Sequence, residues 1–264
     1  MRGRVLIVAG SDSGGGAGIQ ADIKTVTALG GYAATAITAL TAQDTNTVHA
    51  VHEVPPEFVT RQIEVVLGDI GADAIKTGML HRTEVLDAVT DALERLAPDV
   101  PLVVDPVMVA KGGATLLDED TRGVLRQKLI PRATVLTPNL PEAEILTGRA
   151  VADEAAMAAA GRALLEFGAG AVLMKGGHLP GKEIVDLLVT ADGERRFTSR
   201  RIDTRHTHGT GCSLASAVAC GLAQGLAIEP AVARARDYVA EAIRRAPGFG
   251  HGHGPLNHAH TVAT

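Results

Sequence analysis

The chain has 264 residues, of which 46% are hydrophobic and 21% charged, a composition that suits one α/β domain with a sizeable core. Its formal net charge is -5 and its aromatic content is 2%, so it lacks the basic surface and the stacking platforms that hold nucleic acids. The apolar run at residues 5–9 is too short for a signal peptide, and no run has the length needed to cross a bilayer. We therefore expect a single cytoplasmic domain over residues 1–264 that binds neither nucleic acid nor membrane.

Strands and helices alternate along the chain. Apolar runs predict strands at residues 4–9, 32–40, 48–54, 74–77, 102–105, 134–137 and 171–175. Helical periodicity predicts helices at residues 18–29, 56–67, 83–96, 118–129, 153–167, 212–224 and 229–245. Residues 184–189 and 195–198 flank a glycine turn and predict a β-hairpin. The alternation predicts an α/β fold in which a central, mostly parallel sheet has helices on both faces and a small β-hairpin at its edge.

Ligands of such sheets bind beyond the carboxyl ends of the strands. The side chains that follow the predicted strands are therefore candidates for a site: Asp12, Gln43, Met79, Asp105, Asn139, Glu142 and Lys175. The strand at residues 48–54 alternates with polar residues, so we expect it at a sheet edge or over a pocket.

A glycine-rich turn at residues 209–211 comes directly before an apolar, helix-periodic segment. The first N–H groups of a helix have no intrahelical partner and its dipole adds partial positive charge, so this turn predicts a phosphate site. Cys212 follows the turn, and a helix N-terminus lowers the pKa of a thiol, so we expect a partly ionised thiolate beside the phosphate. The alternative is a tight turn followed by a small buried residue.

Two nucleotide-binding motifs each fail at one position. The glycine run at residues 14–18 would need glycine at Ile19 to match the dinucleotide fingerprint. The phosphate-loop pattern would need glycine at Ile23, where a β-branched residue lacks the required backbone freedom. Lys24 and Thr25 are therefore interpreted as surface residues of the first helix. The glycine run either lets the backbone approach a ligand closely or forms a flexible turn.

Cys212 and Cys220 lie on one predicted helix, about 12 Å apart along its axis, beyond the reach of a disulfide. We expect free thiols, as in a reducing cytoplasm. His-x-His pairs occur in the glycine-rich tail at residues 251–260, but no Cys, Asp or Glu accompanies them. We therefore expect a mobile tail without a metal site.

Motifs at successive strand ends occur in the same order as in one family of kinases. They occupy residues 9–24, 37–43, 76–80, 105–108, 137–142, 174–178, 208–212 and 250–255. Together they resemble the hydroxymethylpyrimidine/phosphomethylpyrimidine kinases of thiamine biosynthesis, a branch of the ribokinase-like superfamily. The resemblance implies a three-layer αβα sandwich that uses ATP and Mg²⁺. It also implies phosphorylation of 4-amino-5-hydroxymethyl-2-methylpyrimidine to its monophosphate, and of the monophosphate to the diphosphate.

The resemblance also implies which residues bind each ligand. It places the pyrimidine against Gly10, Ala17, Asp22, Gln43, Met79 and Val107. It places magnesium and its water shell at Asp105, Asn139 and Glu142, and the ATP phosphates at Lys175, Thr210 and Gly211.

The chemistry of these residue types agrees with the implied roles. The Gln43 amide offers an acceptor and a donor that match the amino group and ring nitrogen of an aminopyrimidine. Because the chain has no Trp, a thioether such as Met79 is suited to grip the ring face. Magnesium favours few carboxylates and several waters. The alternatives are a polar loop residue for Gln43, a core residue for Met79, and a helix start with an acidic first turn for residues 139–142.

Cys212 is a departure that bears on mechanism. Most ribokinase-like sugar kinases carry aspartate at this position as the base for the acceptor hydroxyl, whereas the pyrimidine-kinase branch resembles this chain in having cysteine. Phosphoryl transfer has a loose transition state, so a strong base is not required. Cys212 either accepts the proton as a thiolate or orients the hydroxyl, and Lys175 is the second catalytic candidate.

Two other functions stay open. Pyridoxal kinase is the first, because its substrate also carries a hydroxymethyl group on a substituted nitrogen heterocycle. A pyrimidine-binding protein without activity is the second. Such a protein would need no residues for phosphate and magnesium, the roles implied for Lys175, Asp105, Asn139 and Glu142. We expect small-molecule substrates as the partners of the chain, and a homodimer.

Overall fold

The structure is a computed structural model that describes residues 1–108 and 119–262. Its strands are β1 (Arg4–Asp12), β2 (Tyr32–Gln43), β3 (Val48–Glu53), β4 (Ala74–Thr77), β5 (Leu102–Val104), β6 (Val135–Leu136), β7 (Ala171–Met174), β8 (Glu183–Thr190) and β9 (Gly193–Arg200). Its α-helices are α1 (Gly18–Ala28), α2 (Pro56–Asp69), α3 (Thr83–Leu96), α4 (Glu119–Val124), α5 (Leu140–Thr147), α6 (Glu154–Glu166), α7 (Thr210–Ala223) and α8 (Ile228–Arg244).

The strands of the described residues form one nine-stranded sheet in the order β3-β2-β1-β4-β5-β6-β7-β8-β9. The pairs from β2 through β7 are parallel, whereas β3 at one edge and the β8–β9 hairpin at the other pair in the antiparallel sense. The predicted mostly parallel sheet with an edge hairpin is therefore confirmed.

The two faces of the sheet bury separate sets of side chains. On β1, Leu6 and Val8 join the core that includes residues of α2, α3, α5 and α6, while Val5 and Ile7 join the core that includes residues of α1, α7 and α8. Successive residues of a strand point to opposite faces, so a central strand buried on both sides is apolar throughout. This arrangement gives the three-layer αβα sandwich.

The strand ends next to the site run further than the apolar pattern predicts. β1 continues to Asp12, which remains paired with Thr41 of β2 after a register shift between Ala9 and Ser11. β2 continues to Gln43, which pairs with Val48 of β3. The predicted helix at residues 118–129 starts at a residue outside the described ranges, and its described part continues from α4 into a π-helical turn, Leu125–Leu129.

Helix α5 was predicted only as an alternative, the helix start at residues 139–142. It is only 8 residues long and carries a proline in its first turn, so its apolar spacing is weak.

The expectation that Thr25 is a surface residue is wrong. Its side chain is fully buried on α1, which packs against β1 and α7. Lys24 is exposed as expected and donates a hydrogen bond to the Gly15 carbonyl oxygen, at 2.8 Å.

Within residues 1–108 and 119–262, no helix combines the length and apolarity that a membrane span requires.

Candidate active site

A cavity of about 590 Å³ opens at the carboxyl ends of the parallel strands, where the fold predicts a ligand site. It brings together twelve of the residues that the resemblance implies: Gly10, Ala17, Gln43, Met79, Asp105, Val107, Asn139, Glu142, Lys175, Thr210, Gly211 and Cys212. Val48 and Val51 of the edge strand β3 also line it, so that strand lies both at an edge and over the pocket.

Lys175 and Asp105 form an ion pair at one side of this cavity. Lys175 Nζ lies 2.9 Å from Asp105 Oδ1, and the Thr137 hydroxyl donates to the same oxygen at 3.2 Å. Burial disfavours the ammonium, but the carboxylates of Asp105 and Glu142 outweigh it and raise the pKa of Lys175. A cation is therefore held at the end of β7, where it can meet a phosphate.

Asn139 and Glu142 form a capping box at the start of α5. The Asn139 Oδ1 accepts from the Glu142 N–H at 2.9 Å, and Glu142 Oε2 accepts from the Asn139 N–H at 2.8 Å. The helix start that was the alternative interpretation is thus present, and it fixes both side chains at the cavity wall. Burial raises the pKa of the Glu142 carboxyl to about 7; nearby Asp105 adds to that rise and Lys175 opposes it.

The first turn of α7 faces the same side of the cavity. Its cap, Gly209, has φ 82°, and a Cβ there would collide with the carbonyl oxygen of Gly16, so only glycine fits. A Cβ on Gly211 would lie 3.3 Å from Lys175 Nζ and 3.6 Å from Asp105 Oδ2. The glycine-capped first turn therefore lies beside the Lys175 cation, and this arrangement suits an anionic ligand.

Asp22 does not line the cavity, contrary to the expectation that it contacts the pyrimidine. It is fully buried, with Oδ2 2.8 Å from Lys76 Nζ and Oδ1 accepting from the Ser216 hydroxyl at 2.7 Å. Both oxygens are thereby engaged by protein groups. Burial raises the pKa of Asp22, although Lys76 and Ser216 oppose the rise.

Lys76 is a cavity residue that the sequence interpretation missed. It is the charged member of the fully buried strand β4, and its side chain is 0% exposed. Burial opposes its charge, but Asp22, Cys212 and Asp105 outweigh burial and raise its pKa. The sequence did contain a signal for this residue, a lysine inside a short apolar strand, because a buried lysine requires a charged or polar partner.

The predicted thiolate at Cys212 is wrong. The thiol is half-buried, and burial raises its pKa to about 11. Lys76 lowers the pKa, but the carboxylates of Asp22 and Asp105 raise it further. Removal from water beside two carboxylates therefore sets the state of this thiol. Cys212 is a thiol at neutral pH.

The glycine loop after β1 wraps around the Asp12 carboxylate. Asp12 is 3% exposed and accepts from the N–H groups of Gly14, Gly16 and Ala17. Its Oδ2 also lies 3.0 Å from His208 Nε2. Burial disfavours the carboxylate, but His208 and the backbone donors outweigh burial and lower the pKa of Asp12. His208 lines the cavity and is a second residue that the sequence interpretation missed.

The glycine-rich tail, which we expected to be mobile, makes hydrogen bonds to loops around the site. Gly252 N–H donates to Thr45 Oγ1 at 3.0 Å, and the His208 N–H donates to the Gly254 carbonyl at 3.1 Å. His258 Nε2 lies 2.9 Å from Ser213 Oγ, and burial lowers its pKa to about 4. No group of three or more His, Cys, Asp or Glu side chains within the described ranges is arranged to hold a metal ion.

The fold and this cavity define a kinase of the ribokinase-like class, with a lysine, carboxylates and a glycine-capped helix at the strand ends. The chain belongs to the phosphomethylpyrimidine kinase family, whose model matches residues 12–257. It is 49% identical over 97% of its length to the hydroxymethylpyrimidine/phosphomethylpyrimidine kinase of Rhizobium meliloti, of which it covers 96%. It is also 52% identical to the thiamine biosynthesis bifunctional protein ThiED of Geobacter sulfurreducens; the match covers 97% of the chain and 52% of that longer protein.

The solved structures that are similar to the chain include a pyridoxal kinase and a phosphomethylpyrimidine kinase. The pyridoxal kinase of Bacillus subtilis, in complex with ADP, superposes with a TM-score of 0.90 and 34% identity, covering 98% of each chain. The phosphomethylpyrimidine kinase of Clostridium difficile superposes with a TM-score of 0.81 and 41% identity, covering 91% of this chain and 99% of that one. The predicted fold class is confirmed.

The pKa of the Cys212 thiol can be measured directly by alkylation. Because only the thiolate reacts, we expect the rate with iodoacetamide to rise about tenfold per pH unit through the ordinary thiol value of about 8.5, without a plateau. This follows from the pKa of about 11. Cys212→Ala provides the control for reaction at Cys220. A plateau below pH of about 8 would show a thiolate at Cys212 and contradict the assignment.

Proposed function

We propose that the chain transfers a phosphoryl group from ATP to 4-amino-5-hydroxymethyl-2-methylpyrimidine, and then to the resulting monophosphate. The observation that carries this proposal is one cavity in which an anion-binding cluster, Lys175 with the first turn of α7, faces the Gln43 and Met79 pocket. The names of the relatives at 49% and 52% identity support the same reaction.

The acceptor pocket consists of Gly10, Ala17, Gln43, Met79 and Val107 in this proposal. The Gln43 amide pairs with the amino group and ring nitrogen of the pyrimidine. Met79 covers a ring face, and a Cβ on Gly10 would lie 2.5 Å from its Cε, so glycine leaves room for the thioether. Asp22 supports this pocket from below through Lys76.

The donor side consists of Lys175, Thr210 and Gly211 for the ATP phosphates. Asp105, Asn139 and Glu142 would hold Mg²⁺, because carboxylate and amide oxygens are the ligands it prefers and Glu142 is a buried acid whose pKa is about 7. Several of their oxygens already accept protein hydrogen bonds, so water would complete the shell. When bound, the ion neutralises charge on the phosphates.

Cys212 orients the acceptor oxygen in this proposal, because a thiol with a pKa of about 11 is a poor resident base. A loose transition state requires alignment and charge stabilisation more than deprotonation. The same role serves both phosphorylations, although the first acceptor is a neutral hydroxyl and the second an anion.

Pyridoxal is the second candidate acceptor, since the pyridoxal kinase of Bacillus subtilis superposes with a TM-score of 0.90. Identity favours the pyrimidine, being 49% to the Rhizobium meliloti pyrimidine kinase and 34% to that pyridoxal kinase. A higher kcat/KM for pyridoxal than for the pyrimidine would reverse this preference.

The proposal also includes one domain over residues 1–264, a cytoplasmic location and a homodimer. Among residues 1–108 and 119–262, β3 is an end strand of the sheet. The edge of an end strand offers backbone donors and acceptors to a second copy, which supports self-association.

Incubation of the chain with ATP, Mg²⁺ and the hydroxymethylpyrimidine should give the monophosphate and then the diphosphate, detected by mass spectrometry. Lys175→Met should lower kcat by about 10²-fold or more, because it removes a charge that stabilises the transferring phosphoryl group. The exposed Lys182→Met is the matched control and should retain the parent rate. Absence of both products with the parent chain would refute the proposed function.

Magnesium dependence tests the role of Glu142. Because its pKa is about 7 and the ion prefers the carboxylate, we expect the half-saturating Mg²⁺ concentration to fall as pH rises through about 7. Glu142→Gln should raise that concentration and remove its pH dependence, while the exposed Glu166→Gln should leave both unchanged. Identical magnesium titrations for Glu142→Gln and the parent would limit Glu142 to capping α5.

A further inference from the structure

His208 lies between the glycine loop and the acceptor pocket. Its Nε2 is 3.0 Å from Asp12 Oδ2 and 3.3 Å from the nearest atom of the Gln43 amide group. The ring is held on other sides, because its backbone N–H donates to Gly254 and a Cβ on Gly16 would lie 2.5 Å from His208 Cδ2. The imidazole is therefore fixed in place by parts of the chain that are remote in sequence.

The Asp12 carboxylate decides which imidazole nitrogen carries a proton. Its two oxygens accept from three backbone N–H groups, and its pKa is lowered, so it is ionised and can only accept. The His208 Nε2 that faces it at 3.0 Å must therefore be a donor. This holds whether the ring is neutral or charged.

The Nε2–H of His208 in turn decides the orientation of the Gln43 amide. One end of that amide faces the His208 donor at 3.3 Å, and the other lies 3.2 Å from Thr41 Oγ1. The Thr41 hydroxyl has one proton, which it donates to the Ser11 carbonyl at 2.9 Å, so its oxygen is left as an acceptor. His208 Nε2 carries one proton, which Asp12 and the Gln43 amide must share, and a protonated Nε2 has no lone pair to accept from the amide NH2. The amide oxygen therefore faces His208 and the amide nitrogen faces Thr41.

A fixed amide can distinguish two related pyrimidines. A 4-aminopyrimidine presents an N–H donor beside a ring-nitrogen acceptor. Its 4-oxo analogue presents a carbonyl acceptor beside a ring N–H donor. The second pattern is the reverse of the first, so an amide that cannot turn matches only one of them. An amide free to rotate matches either, and selectivity is lost.

We propose that His208, held by Asp12, is a positioning residue that fixes the Gln43 amide and so selects 4-aminopyrimidines over 4-oxopyrimidines. This inference rests on the proposed function, because it assumes that Gln43 contacts the pyrimidine ring. It adds to that function a residue, His208, that determines acceptor specificity through the contact residue Gln43.

The test compares kcat/KM for the hydroxymethylpyrimidine and for its 4-oxo analogue in four chains. The parent and the exposed control His52→Ala should prefer the amino compound strongly. His208→Ala should lower that preference by about tenfold, the effect of one lost hydrogen bond that orients the amide, with the KM for ATP unchanged. His208→Gln retains an N–H donor and should recover part of the preference. An unchanged preference in His208→Ala would overturn the proposal.

The tautomer gives a readout that needs no substrate. Long-range ¹H–¹⁵N spectra of the parent should show a proton on His208 Nε2, and an unprotonated Nε2 would overturn the proposal whatever the acceptor. If the parent phosphorylates neither pyrimidine, the proposed function fails and the claim of specificity fails with it. If the parent accepts the amino compound and His208→Ala keeps the full preference, only the role of His208 is refuted.

Discussion

The buried ion pair between Asp22 and Lys76 is the constraint on which the site depends. Two charges without water contact need each other, and removing one leaves the other uncompensated at a cost of about 3–5 kcal/mol. The pair joins α1 to β4, and the Ser216 hydroxyl ties the same carboxylate to α7. Ser216 lies one helical turn beyond Cys212, so the ion pair that anchors Ser216 also helps to place the thiol.

Charge is divided between the two sides of the cavity as a result. Lys175, Asp105 and Glu142 face the first turn of α7, where an anion can be held, while Lys76 stays behind Cys212 and is already neutralised by Asp22. The positive groups on the donor side are therefore the Lys175 ammonium, which is paired with Asp105, and the first turn of α7. A cysteine in place of the aspartate of related sugar kinases fits this division, because a neutral thiol adds no charge next to Asp22 and Asp105.

Much of this could be predicted from the sequence, and the errors share a cause. Apolar periodicity found the strands and most helices, and the rule for parallel sheets located the cavity, because both depend on local pattern. The predicted thiolate at Cys212 was wrong because burial and the carboxylates of remote elements raise the pKa of this thiol. Asp22 was misplaced because a motif identifies a residue type and not which way it faces. His208 and Asp12 are 196 residues apart, so only the folded chain brings them together.

Unfolding of two variants tests most directly whether the ion pair supports the site. In urea, Lys76→Met should lower the free energy of unfolding by about 3–5 kcal/mol, because it leaves the Asp22 carboxylate buried without a partner. The double variant Asp22→Asn/Lys76→Met should lose markedly less, since no uncompensated charge remains in it. A Lys76→Met chain as stable as the parent, or a double variant less stable than the single one, would contradict the account.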